Sequence, residues 1–189
     1  MQIVISGTHS SGKSTLISDF GMRHPEYEQL PDPFELLDEA WDQPSAAMFM
    51  TQLRVSADRL LSEAPTSTHL HSIAERGPID FLAYLMALEE SSGRSIDDDL
   101  IASARSITAD AMSHVDVLVI LPLTADDPLE PDDDEHLEMR SAMNNALLDL
   151  IGDPEVIGER TTVVEIFGDP DQRRSSLESL VAGWRDDRQ

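Results

Sequence analysis

The sequence of 189 residues contains no cysteine and a single lysine, Lys13. The absence of cysteine excludes disulfide bonds and metal sites built on thiolates. No apolar run is long enough to cross a membrane. The first predicted strand begins at the second residue, so we expect no signal peptide. These features predict one soluble cytoplasmic domain.

Basic residues of any kind are scarce. Lys and Arg number 13 against 37 Asp and Glu, which gives a formal net charge of −24. A field of this sign repels nucleic acids and anionic membranes, so we expect neither as a partner. A polyanionic ligand would have to be met by positive charge concentrated at its site.

The single lysine lies in a segment that fits the phosphate-binding loop pattern G-x-x-x-x-G-K-[ST]. That segment is Gly7-Thr8-His9-Ser10-Ser11-Gly12-Lys13-Ser14, and Thr15 follows it. An apolar, β-branched run before it predicts a buried strand, and helical spacing after it predicts a helix. The loop amides and the helix N-terminus would then bind phosphates. Lys13 would reach the β and γ oxygens, and the Ser14 hydroxyl would hold Mg²⁺.

Strand and helix patterns alternate along the rest of the chain. Further strands are predicted over 27–30, 69–74, 115–121 and 161–167. Helices are predicted over 34–42, 45–64, 78–89, 95–112, 135–151 and from 170 onward. The alternation predicts an α/β fold of the three-layer P-loop NTPase type, a five-stranded parallel sheet with helices on both faces. We see no linker, and interpret 1–189 as one domain.

Ligands of such sheets bind beyond the carboxyl ends of the strands. The segments in that position are the candidate site residues. Besides the phosphate-binding loop they are Asp32, the pair Glu75-Arg76 and the turn Gly168-Asp169-Pro170.

This arrangement resembles the P-loop nucleoside and nucleotide kinases, above all the deoxynucleoside-kinase group and the small ATPases related to nicotinamide riboside kinase. The resemblance implies that Asp32, which precedes a proline, takes the proton of the acceptor hydroxyl. It also implies that Glu75 and Arg76 order the metal and the transferring phosphate, with Ser14, Asp32 and Glu75 as the metal-binding residues. Gln52 would bind the base of the acceptor, and Gly168-Asp169-Pro170 would pack the adenine.

In these kinases a lid after the fourth strand carries arginines that close over the phosphates. The corresponding segment here, 124–140, is acidic, and Arg140 is its first arginine. An acidic run is typical of a solvated face. If the segment is a lid, Arg140 is its candidate clamp and a catalytic residue.

Three functions fit the sequence. The first is an ATP-dependent small-molecule kinase that transfers the γ-phosphoryl group to a hydroxyl of a nucleoside or nucleoside-like acceptor. The second is a nucleoside monophosphate kinase, for which Arg54, Arg59 and Arg76 are candidate ligands of the acceptor phosphate. The third is a nucleotide-binding regulatory ATPase, although the strand over 115–121 ends in Pro122 rather than in the acids such proteins place there. The expected ligands are ATP (or GTP), Mg²⁺ and a small-molecule acceptor, and a homodimer is compatible with the sequence.

Overall fold

The computed structural model describes residues 1–36, 44–62, 71–93, 95–123 and 137–186. Within these ranges the chain forms five strands and eight helices. The strands are β1 (Gln2–Ser6), β2 (Tyr27–Leu30), β3 (His71–Glu75), β4 (Val117–Ile120) and β5 (Thr162–Glu165). The helices are α1 (Lys13–Gly21), α2 (Pro33–Leu36), α3 (Ala46–Ser62), α4 (Pro78–Ser92), α5 (Asp98–Met112), α6 (Leu137–Leu150), α7 (Pro154–Ile157) and α8 (Pro170–Asp186).

The strands form one parallel sheet in the order β2-β3-β1-β4-β5. Strand β1 is central because it pairs on both sides, with Ile5 next to Glu75 of β3 and to Val119 of β4. Its residues Ile3 to Ile5 are fully buried, as expected of a strand covered on both faces. The predicted α/β class and five-stranded parallel sheet are confirmed.

Alternate residues of each central strand enter two separate apolar clusters. Val4 and Leu118 pack with residues of α3, α4, α5 and α6. Ile3 and Ile5 pack with residues of α1 and α8. The sheet therefore lies between two helical layers, and the carboxyl ends of β1, β3 and β4 meet at one edge.

Several predicted boundaries differ from the observed ones. The helix predicted over 34–42 begins at Pro33, and residues 37–43 lie outside the described part of the chain. The strand predicted over 115–121 is shorter because the Val115 amide bonds the Met112 carbonyl at the end of α5. Helix α7 was not predicted, although Asp153 caps it by accepting a hydrogen bond from the Glu155 amide. Of the candidate lid, residues 124–136 lie outside the described ranges and the rest begins α6.

No helix among the described residues has the length and apolar composition that crossing a bilayer requires.

Candidate active site

The turn between β1 and α1, the phosphate loop (Gly7–Ser14), has an unusual backbone. Gly7 has a φ of 155°, and a Cβ atom on it would lie 2.7 Å from the Leu121 carbonyl oxygen. Gly12, just before α1, has a φ of 86°, and Ser10 has a φ of 53°. Residues with positive φ reverse the chain within a few positions and turn successive amides toward one side. The loop therefore has the backbone that an anion cradle requires.

Lys13 is folded back onto this loop. Its side chain is buried, with only 4% of the residue exposed, and its Nζ donates to the Thr8 carbonyl at 2.6 Å. Burial, and next the positive charge of Arg76, lower the pKa of Lys13 to about 7. The ammonium is thus held at the loop in a setting where added negative charge would favour its protonated form.

Ser14 and Glu75 form a pair beside the loop. The Ser14 hydroxyl donates to Oε1 of Glu75 at 2.7 Å, and burial raises the pKa of Glu75. These oxygens fit Mg²⁺, which is usually held by one or two protein oxygens together with substrate phosphates. Where side chains are described, no group of three or more His, Asp and Glu residues converges on a metal site. Ser14 and Glu75 are the described residues best arranged to hold the ion.

Asp32 follows β2 and is fixed through both carboxylate oxygens. Oδ1 accepts a hydrogen bond at 3.1 Å from the amide of Phe34, which lies in the first turn of α2. Oδ2 accepts one at 2.7 Å from Nε of Arg76. The Asp32 side chain is 13% exposed. The carboxylate is therefore oriented by its neighbours while remaining accessible from the cavity.

Arg76 has a more structural position than the sequence suggested. It takes a positive φ of 63°, and its guanidinium lies between the rings of Phe34 and Tyr84, 5.5 Å from each centroid. Its Nη1 donates to the Gly7 carbonyl at 2.9 Å. Arg76 is only 2% exposed, and its hydrogen bonds orient both Asp32 and the loop at the cavity that it also lines.

Asp80 is a second organising residue, and the sequence analysis missed its role. It is fully buried and accepts hydrogen bonds from the Ser6 hydroxyl at 2.6 Å and from the amides of Gly7 and Gly77 at 3.0 and 2.9 Å. Burial raises its pKa, and its bonds and Arg76 oppose that shift. Its spacing from Gly77, three residues into α4, is the signal that was available, because an acid at that position closes a capping box.

These groups surround one cavity of about 360 Å³. The structure brings the phosphate loop, Asp32 and the Glu75-Arg76 pair together at it. The lining residues are His9, Ser10, Ser11, Gly12, Lys13, Ser14, Asp32, Phe34, Glu35, Glu75 and Arg76.

Other predicted residues lie elsewhere. Gln52 is fully buried in α3, and neither of its amide atoms has a hydrogen-bond partner among the described residues. Arg54 is exposed on the same helix and is not among the residues that line the cavity, and its contact with a substrate stays a prediction. Thr15 is exposed in the first turn of α1. Arg140, the predicted clamp, donates through Nε to the His9 carbonyl at 3.2 Å.

The turn Gly168-Asp169-Pro170 is exposed beyond β5. It is connected to the phosphate loop by Arg173, which the sequence analysis missed. The Arg173 amide bonds the Asp169 carbonyl at 2.9 Å, and its Nη1 donates to the Ser11 carbonyl at 2.6 Å.

Comparison with known proteins adds a likeness of fold. No protein-family model matches the chain, and no curated protein matches it. Thymidylate kinase from Candida albicans is 17% identical, with a TM-score of 0.66 over 97% of this chain and 92% of its own. Deoxyadenosine kinase from M. mycoides, solved with dATP, is 13% identical, with a TM-score of 0.66 over 96% of this chain and 100% of its own.

The NadR protein in complex with NR is 12% identical, with a TM-score of 0.67. The match covers 95% of this chain but 50% of that one. At these identities the likeness concerns architecture, and it agrees with the five-stranded parallel sheet described above. The chain has the P-loop kinase fold that the sequence predicted.

Proposed function

We propose that this protein is an ATP-dependent kinase that transfers the γ-phosphoryl group to a hydroxyl of a nucleoside or nucleoside-like acceptor. One observation carries the proposal. The phosphate loop, the Ser14–Glu75 pair and the oriented carboxylate of Asp32 line a single cavity. Phosphate binding, metal binding and proton acceptance are the three functions that phosphoryl transfer to a hydroxyl requires.

The roles follow from position. The loop amides and Lys13 bind the β and γ phosphates, and Mg²⁺, held by Ser14 and Glu75, supplies charge neutralisation when it is bound. Asp32 receives the proton of the acceptor hydroxyl. Its bonds to Phe34 and Arg76 keep it in one orientation. In a loose transition state, positioning of the acceptor contributes more than the strength of the base.

The acceptor class is inferred from Gln52 and from the solved structures. The Gln52 side chain has an NH₂ group that can donate hydrogen bonds and an oxygen that can accept them, and neither has a partner among the described residues. This is the pattern that pairs with the edge of a base or a carboxamide. Thymidylate kinase, deoxyadenosine kinase and NadR with NR, which share the fold, support a nucleoside-like acceptor. Because Gln52 is fully buried, acceptor binding has to open a path to it.

The two alternatives have less support. A monophosphate acceptor needs free arginines at the cavity, but Arg54 is exposed outside it and Arg59 donates to the Pro31 carbonyl. A regulatory ATPase usually has acids at the end of the strand beside the loop. Here β4 ends in Ile120, followed by Leu121 and Pro122.

The reaction is tested by incubating the full chain with Mg·ATP and a panel of nucleosides, nucleoside monophosphates and polyols, and following the γ-phosphate. We expect a new phosphate ester on a nucleoside-like hydroxyl. Transfer only to monophosphates would favour the second function. Hydrolysis that no acceptor changes would contradict kinase activity.

Asp32→Asn should lower turnover by at least about 100-fold, because an amide cannot accept the hydroxyl proton. The dissociation constant of Mg·ADP should change by less than about threefold, since Asp32 is assigned to the acceptor. Glu35→Gln is the matched control, because Glu35 is an exposed acid that lines the same cavity. Turnover of Asp32→Asn equal to that of the control would exclude Asp32 as the base.

Gln52→Leu should have opposite effects on stability and on acceptor binding. Removing an unbonded buried amide should raise the free energy of unfolding by about 1 kcal/mol. The KM of the acceptor should rise at least about tenfold while the KM of ATP stays constant. Urea unfolding and steady-state kinetics measure the two effects, with Arg54→Ala on the same helix as the control. A stabilised variant with an unchanged acceptor KM would remove Gln52 from recognition.

Nucleotide affinity should fall as the pH rises above 7. The pKa of Lys13 in the free protein is about 7, and a bound polyphosphate raises it. Binding therefore takes up a proton above pH 7, and affinity decreases by up to about tenfold per pH unit there. The stability of the free protein should change in the opposite direction. Above pH 7 the folded protein loses the Lys13 proton, whereas the unfolded chain keeps it up to the ordinary pKa of lysine. The free energy of unfolding therefore rises with pH above 7.

Calorimetric titration with Mg·ADP between pH 7 and 9 measures this dependence. Lys13→Arg is the control, because a guanidinium does not titrate in this range and its affinity should be flat. The chain has one lysine, so ¹³C-labelled lysine gives one side-chain signal that reports the pKa directly. A midpoint above pH 9.5 in the free protein would contradict the account.

A further inference from the structure

Three arginines donate hydrogen bonds to backbone carbonyls of the phosphate loop at regular intervals. The carbonyls of Gly7, His9 and Ser11 accept hydrogen bonds from the three side chains at 2.9, 3.2 and 2.6 Å. The donors come from three parts of the fold, in the same order Arg76, Arg140 and Arg173. Every second carbonyl of this stretch of the loop therefore faces a guanidinium.

The planarity of the peptide bond gives this pattern a consequence. In a trans peptide the carbonyl of one residue and the amide of the next point in opposite directions. Holding the Ser11 carbonyl outward therefore turns the Gly12 amide inward, toward the cavity. The same relation applies to the Gly7 and His9 carbonyls and the amides that follow them. Each arginine thereby orients a backbone amide of the loop through the carbonyl that precedes it.

Arg173 is the member of this set that neither the phosphate-loop motif nor the kinase mechanism includes. It lies in the first turn of α8, is 6% exposed and does not line the cavity. Its bond to Ser11 joins residues 162 positions apart and is charge-assisted, hence stronger than a neutral hydrogen bond. Gly12, whose amide this bond directs, immediately precedes α1, where the helix dipole also favours an anion.

We propose that Arg173 is a positioning residue for polyphosphate binding, which fixes the Ser11–Gly12 peptide and couples the turn after β5 to the phosphate loop. This inference rests on the proposed function only in that the loop binds a polyphosphate. It assigns Arg173 an effect on the phosphate chain and none on the acceptor.

The chain provides a matched control in the next residue. Arg174 carries the same charge on the same helix turn, but it pairs with Asp171 at 2.7 Å. Arg173→Ala and Arg174→Ala therefore change net charge and helix composition equally, and only the first removes the bond to the loop.

The test measures the dissociation constants of Mg·ADP and of inorganic tripolyphosphate for the full chain and its variants, with folding verified by circular dichroism at the same temperature. Arg173→Ala should weaken both ligands at least about tenfold, by similar factors. Arg174→Ala should stay within about twofold of the parent. Arg173→Lys should recover part of the loss, because an ammonium can still donate to the Ser11 carbonyl. In turnover the KM of ATP should rise while kcat and the KM of the acceptor stay nearly constant.

Equal affinities of the Arg173→Ala and Arg174→Ala proteins would overturn the proposal. If Arg173→Ala does not fold, Arg173→Lys and Arg173→Gln decide, and parent-like tripolyphosphate binding by the Gln variant would overturn it as well. Loss of acceptor affinity equal to the loss of ADP affinity would mean a general structural role and would also contradict it. If the kinase assay fails while polyphosphate binding is intact, only the proposed reaction is refuted. If the parent chain binds neither Mg·ADP nor tripolyphosphate, the proposed reaction and the role of Arg173 are both refuted.

Discussion

The direction of the peptide planes in the phosphate loop is the constraint on which the rest of the site depends. Amides that converge on an anion leave their carbonyls facing the protein, where each requires a donor. Three arginines donate to such carbonyls, those of Gly7, His9 and Ser11. In a chain with a net charge of −24, much of the positive charge near the loop is therefore bound to backbone. A strongly acidic protein thus places arginine side chains around the loop that we propose binds phosphate.

The same constraint connects the loop to the other strand ends. Asp80 of α4 accepts a hydrogen bond from the Gly7 amide, and Arg76, just after β3, donates one to the Gly7 carbonyl. These two bonds fix the first peptide groups of the loop. Arg76 also holds Asp32. Removing Arg76 should therefore disturb phosphate binding and proton acceptance together. The acid that would accept the proton and the loop that would hold the phosphate share one arginine, which fixes their relative position before any ligand arrives.

Local patterns were sufficient to predict the strands, the loop, and Asp32 and Glu75-Arg76 at the ends of β2 and β3, because each of these features is read from residues adjacent in sequence. The contacts of Arg140 and Arg173 join residues 131 and 162 positions apart, and no short-range pattern distinguishes Arg173 from Arg174. Arg76 has the residue type expected of a phosphate ligand, but its burial between Phe34 and Tyr84 depends on tertiary packing. That the Gln52 amide has no hydrogen-bond partner within the described part of the chain likewise depends on the tertiary packing around α3.

A crystal structure with Mg²⁺ and a non-hydrolysable ATP analogue would show directly whether the loop amides bind phosphate. We expect the β-phosphate within about 3 Å of the loop amides, with Nζ of Lys13 moved from the Thr8 carbonyl to a phosphate oxygen. Arg173 should remain on the Ser11 carbonyl. A nucleotide bound outside the cavity lined by Ser14, Asp32 and Glu75, or an Arg173 side chain that leaves the loop to contact phosphate, would contradict this expectation.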